Sequence, residues 1–71
     1  MTKENFTVVI EKGEDGYYIA DVPELPGCHT QAKTLDELMK RVKEAIELNL
    51  EADTERRRSN FVGIQRVEVN A

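Results

Sequence analysis

A single helical stretch governs how this chain can fold. It opens at Thr34-Leu35-Asp36-Glu37, a capping box in which the threonine oxygen accepts from a first-turn N–H while Glu37 reaches back. From there Leu35, Leu38, Met39, Val42, Ala45, Ile46, Asn49 and Leu50 recur at helical spacing. All but Asn49 are apolar, so one face is to be buried and the helix is amphipathic. The opposite face pairs Asp36 with Lys40 and Glu37 with Arg41, acid first, each pair worth about 0.2–0.5 kcal/mol. The pattern predicts a helix over Leu35–Ala52.

Everything else with periodicity reads as strand. Phe6 to Lys12 is β-branched and partly alternating, with Phe6, Val8 and Ile10 on one face. Gly13-Glu14-Asp15-Gly16 follows, and Asp-Gly is a strong hairpin signal. Tyr17 to Val22 is the returning strand, stopped by Pro23, which cannot donate to a ladder. Leu25-Pro26-Gly27-Cys28 places proline and glycine at the two central positions of a type II turn. A third short strand spans about Cys28 to Ala32. After the helix, a polar connection from Asp53 to Asn60 leads to Phe61–Val69, which reads as a last strand whose alternation slips between Ile64 and Val67. The fold class is α+β, in the order β-β-β-α-β: an antiparallel meander, one helix and a final strand.

One helix covers one face of a sheet. The other face is left for solvent, a second copy or a partner, and a four-stranded sheet has two edges that small domains hide by association. A homo-oligomer, a dimer in the first instance, is therefore expected. At 71 residues there is room for one domain, residues 1–71, with no separate DNA-binding domain. A chain this short buries only about 60–65% of the surface its unfolded form exposes, so association would help it. Cys28 is the only cysteine, no apolar run approaches the roughly 18 residues of a membrane span, and the first residues are polar. Those features predict a reduced, soluble, cytoplasmic protein with no membrane partner.

The formal charge is −4, and residues 1–27 carry all of it, with six acids against two bases. Nucleic-acid binding rests on cations that neutralise phosphates, so direct nucleic-acid binding is not expected. An acidic surface suits a basic protein, because opposite potentials steer encounter and fix register. The one basic cluster, Arg56-Arg57-Arg58, reads as a solvated loop.

Catalytic groups are sparse. Cys28 and His29 are adjacent, and neighbouring strand residues point to opposite faces, so they form neither a thiol–imidazole pair nor a chelate. One cysteine and one histidine are too few for an ordinary zinc site. Glu11, Asp21 and Glu68 lie near strand ends without the spacing of converging carboxylates that a metal-dependent nuclease needs. The expectation is a non-enzyme with no cofactor and no metal. Tyr17 and Tyr18 face opposite sides of one strand, and tyrosine is enriched at interface hot spots. With Asp21, Glu24 and His29 they are the candidate partner-binding residues.

Gly16-Tyr17-Tyr18-Ile19-Ala20, Val22-Pro23-Glu24-Leu25-Pro26-Gly27-Cys28, and Thr34-Leu35-Asp36-Glu37 with Glu44-Ala45-Ile46 together resemble the HicB-type antitoxins. The resemblance covers about residues 6–52 and includes a closing strand like Phe61–Val69. Ala32 and Lys33 stand where that family commonly has a glycine and an acid. The resemblance implies a partial RNase H-like fold. It also implies a partner: HicA, a small basic mRNA-cleaving toxin with a double-stranded-RNA-binding-like fold and a catalytic histidine. The implied mechanism is that the antitoxin covers the toxin's RNA-binding and catalytic surface. Two rival readings are a residual metal-dependent nuclease and an orphan module that only self-associates.

Overall fold

The computed structural model describes residues 3–52 and 59–71. Three strands, β1 (Val9–Lys12), β2 (Tyr18–Asp21) and β3 (His29–Ala32), precede one helix, α1 (Leu35–Ala52). The strands form an antiparallel meander in the order β1-β2-β3. Val9 lies opposite Asp21 and Lys12 opposite Tyr18, and on the far side of β2 Asp21 lies opposite His29 and Tyr18 opposite Ala32.

Both turns form where the sequence places them. The first closes with Gly16 N–H on the Gly13 carbonyl at 3.0 Å and Gly13 N–H on the Tyr17 carbonyl at 2.8 Å. In the second, Cys28 N–H donates to the Leu25 carbonyl at 2.9 Å, and Gly27 has φ +87°, as a type II turn demands. A Cβ at Gly27 would meet no atom, so its cost is purely conformational. Gly27→Ala is expected to lose about 1–2 kcal/mol, the left-handed penalty for an L-residue. Gly63→Ala should cost almost nothing by comparison. Paired urea titrations check this, and equal midpoints for the two variants would contradict it.

The helix runs over the expected residues. Glu37 N–H donates to Thr34 Oγ1 at 3.1 Å, and Leu38 N–H to the Thr34 carbonyl at 3.0 Å. The capping box closes on that side only, because Glu37 turns its carboxylate to Arg41, 3.3 Å away along the helix. Leu38 and Val42 are buried, with Ala45, Ile46 and Leu50 packed beside them. Leu35 and Met39, expected on the buried stripe, are 47% and 41% exposed and flank it instead. Sheet residues facing the helix are small: Ala20, Cys28 and Ala32 are buried with Val22 and Leu25. Small side chains there let α1 approach the sheet closely enough for Leu38 to lose all contact with water. Cys28 serves as a small buried apolar group, which is the usual fate of a cysteine in a core.

α1 lies over β3 and β2 and makes no close approach to β1. This explains why Ile10, on the helix side of β1, is 44% exposed. Toward the start of β1, an open groove of about 400 Å³ runs between Phe6 and Val8 on one bank and Val42, Ile46 and Leu50 on the other.

The expected fourth strand is not formed. Among the described residues no strand follows α1, and Val62, Ile64, Val67 and Val69 are 97%, 69%, 76% and 74% exposed. The reason is that β-propensity describes a side chain's fit to a pleated surface and supplies no neighbour to pair with. The segment is joined to the body by Ser59 N–H, which donates to the Glu24 carbonyl at 3.0 Å. The connection expected from Asp53 onward, with Arg56-Arg57-Arg58, falls outside the described residues as far as residue 58.

Candidate functional site

Hydrogen-bond parity sorts the sheet into two faces. Ile10 pairs with Ala20 and Ala20 with Thr30, so Val8, Ile10, Tyr18, Ala20, Thr30 and Ala32 point toward the helix. Alternate residues, among them Val9, Glu11, Tyr17, Ile19, Asp21, His29 and Gln31, point away from it. Among the described residues no helix covers this second face.

That uncovered face has a clear chemical layout. Val9, Tyr17 and Ile19 are half-buried and run diagonally across it, while Glu11, Asp21, His29 and Gln31 are exposed around them. Two strand rows carry these groups: Val9–Asp21–His29, and Glu11–Ile19–Gln31. An apolar centre with a polar and charged rim is the layout of a protein-binding surface. The Lys33 ammonium sits over the Tyr17 ring at 5.7 Å, which fixes the ring at one end of the face. His29 donates from Nδ1 to the Gly27 carbonyl at 3.2 Å, leaving Nε2 for an outside partner.

Of the five residues singled out from sequence, Tyr17, Asp21 and His29 share this face, with Asp21 beside His29 and Tyr17 at the other end. Tyr18 does not. It lies on the helix side, packed against the core, with the Lys12 ammonium over its ring at 5.3 Å. Glu24 supports the fold instead. Its carboxylate accepts from the Thr7 N–H at 3.0 and 3.1 Å, extending the β1–β2 ladder beyond its last strand pair. Partial loss of water pushes the Glu24 carboxyl up, but bonds from its own N–H and from the Thr7 hydroxyl and N–H outweigh that and hold it below its ordinary 4.5. A value lowered by folding contributes stability that is complete above about pH 4.5 and fades as pH falls through the folded-state value. Glu24→Gln is therefore expected to be less stable than the parent near pH 7, with the gap closing on acidification. Thermal midpoints at both ends of that range test it, and a gap that widens in acid would contradict it.

Val9, Ile19 and Glu11 were not singled out as contact residues from sequence. The signal for them was present: once Phe6, Val8 and Ile10 are given to the core, strict alternation sends Val9 and Glu11 to the other side. Among the described residues no group of three or more His, Cys, Asp or Glu could hold a metal ion, and no helix is long and apolar enough to cross a membrane.

Comparison with known proteins identifies the family of the chain. Residues 6–68 match the family described as HicB-like antitoxin of bacterial toxin–antitoxin systems. A UPF0150 protein of Archaeoglobus fulgidus is 66% identical over 64 residues, which is 90% of this chain and 93% of that protein. One from Synechocystis is 49% identical over 69 residues, spanning 97% of this chain and 100% of its own. One from Thermotoga maritima is 39% identical over 66 residues, 90% of this chain and 88% of its own. The match runs through the hairpin, the Val22–Cys28 turn and the capped helix alike, and the chain belongs to the HicB-like antitoxin family.

Proposed function

We propose that this protein neutralises a HicA-type mRNA-cleaving toxin by lying over its RNA-binding surface with the helix-free face of its sheet. The observation that carries the proposal is the layout of that face, with Val9 and Ile19 at its centre, Tyr17 at one end and the carboxylates Glu11 and Asp21 at its rim. An enzyme that cleaves RNA must present cations to phosphate. A surface of opposite sign seated on those cations excludes substrate and steers the two proteins together. His29 and Tyr17 add directional contacts at the two ends of the face. An interface of ordinary size hides about 1,600 Å² in total, within reach of a sheet face and its edge. The antitoxin acts as a soluble, cytoplasmic protein of one domain, self-associates as a dimer, and performs no chemistry of its own.

The test is RNA cleavage by the toxin alone and in a purified complex with this protein. Copurification with loss of cleavage is expected. Full cleavage within an intact complex would rule out the blocking mechanism.

A further inference from the structure

We propose that residues 61–69 are an exchange arm that adds as a strand to the outer edge of β1 in a second copy of this chain, with the second copy's arm returned in the same way. This deepens the dimer reading given above by naming the segment and the surface that form it.

Four observations lead to it. The chain exposes 6294 Å², roughly 1,800 Å² more than a compact protein of its 8.1 kDa mass presents. Its radius of gyration is 13.8 Å, against about 11 Å for a closed domain of this length. An excess of that size in each of two chains is more than a stable interface of about 1,600 Å² needs. The excess includes a β-prone segment with Val62, Ile64, Val67 and Val69 largely in water.

The two sheet edges are not equivalent. Gly13 N–H bonds the Tyr17 carbonyl and Thr7 N–H bonds Glu24, so Thr7, Val9, Glu11 and Gly13 direct their backbone groups inward, toward β2 and the loop that follows it. Val8, Ile10 and Lys12 consequently present theirs along the outer edge of β1, where no strand lies among the described residues. The corresponding edge of β3 is occupied differently: Arg41 reaches down from α1 and donates to the Gln31 carbonyl at 3.1 Å. A charged side chain bonded to an edge carbonyl opposes addition of a strand there. The edge of β1 is thus the receptive one.

The groove is the third element. It opens beside the start of β1, between Phe6 and Val8 and the α1 residues Val42, Ile46 and Leu50, and none of residues 61–69 of the same chain lines it. A strand laid on the outer edge of β1 would direct alternate side chains toward this groove, and the arm carries apolar groups of both parities to fill it. Finally, each copy offers one arm and one edge. Reciprocal exchange about a two-fold axis satisfies both at once and closes the assembly at two.

The experiment uses the full chain without any toxin, so its failure leaves the neutralisation reading standing. Sedimentation equilibrium is expected to give twice the chain mass. A sample mixing isotopically labelled and unlabelled chains is expected to show isotope-filtered NOEs to Phe6, Val8 and Ile46 of the other copy from one alternate set of arm methyls, either Val62 and Ile64 or Val67 and Val69. The double variant Ile64→Asp, Val67→Asp lies outside the core and should sediment as a monomer with its helical circular dichroism retained. A monomeric parent, a dimer whose arm contacts only its own chain, or a double variant that stays dimeric would each overturn the proposal.

Discussion

Leu38→Ala is expected to destabilise the protein by about 2–5 kcal/mol, the range for truncating a fully buried leucine. Leu38 is 0% exposed and sits where α1 meets the small residues of β2 and β3. Those neighbours cannot collapse into the space, because Ala20 and Ala32 are held in place by the ladder register of their strands. A domain of this length has only about 4–10 kcal/mol of stability in total, so the loss is a large share of it. At about 4–8 °C per kcal/mol for a domain of this size, the midpoint should fall by some tens of degrees. Leu48, on the same helix but 65% exposed, is the control: Leu48→Ala should stay within about 0.5 kcal/mol. Thermal melts of the pair decide the matter, and a Leu38→Ala midpoint within a few degrees of Leu48→Ala would mean that α1 is not docked as described.

Reversing both carboxylates of the helix-free face, with Glu11→Lys and Asp21→Lys together, is expected to weaken toxin binding by about 100-fold. Each reversal replaces an attraction with a like-charge contact, and about 1.4 kcal/mol apiece gives that factor. Neither residue belongs to the core, since both are exposed. The variant should melt near the parent temperature. Added salt should weaken the parent complex more than the variant complex, because the parent interaction is the attractive one that screening removes. Calorimetric titration at two ionic strengths reads both effects. Undiminished affinity would place the toxin on another surface while leaving the fold untouched.

The parts of this structure legible in the sequence are those decided within a few residues. Thr34 caps α1 because its oxygen is three residues from the N–H it accepts, and Gly27 turns the chain because no neighbour is needed for a positive φ. Helix limits and both turns could be read for that reason. The rest depends on partners distant along the chain. Glu24 looks like a surface acid until Thr7, 17 residues earlier, is seen to donate to it. Tyr17 and Tyr18 differ by one position and fall on opposite faces, and only the register with Ala32 shows which of them is packed against the core. Phe61–Val69 has the β-prone composition of a strand, yet pairing is a relation between two segments, and the sequence names only one of them.

The grip of Arg41 on the Gln31 carbonyl has a consequence for how many molecules can join. A β-ribbon that accepts a neighbour along each margin has no natural end, and successive additions lead to fibrils. Under the strand exchange proposed above, one margin plugged by a guanidinium would stop growth after a single partner is taken up. The plug is itself steadied by Glu37, so a pair of solvent-facing charges worth little to thermal stability would, under that proposal, set the ceiling on assembly.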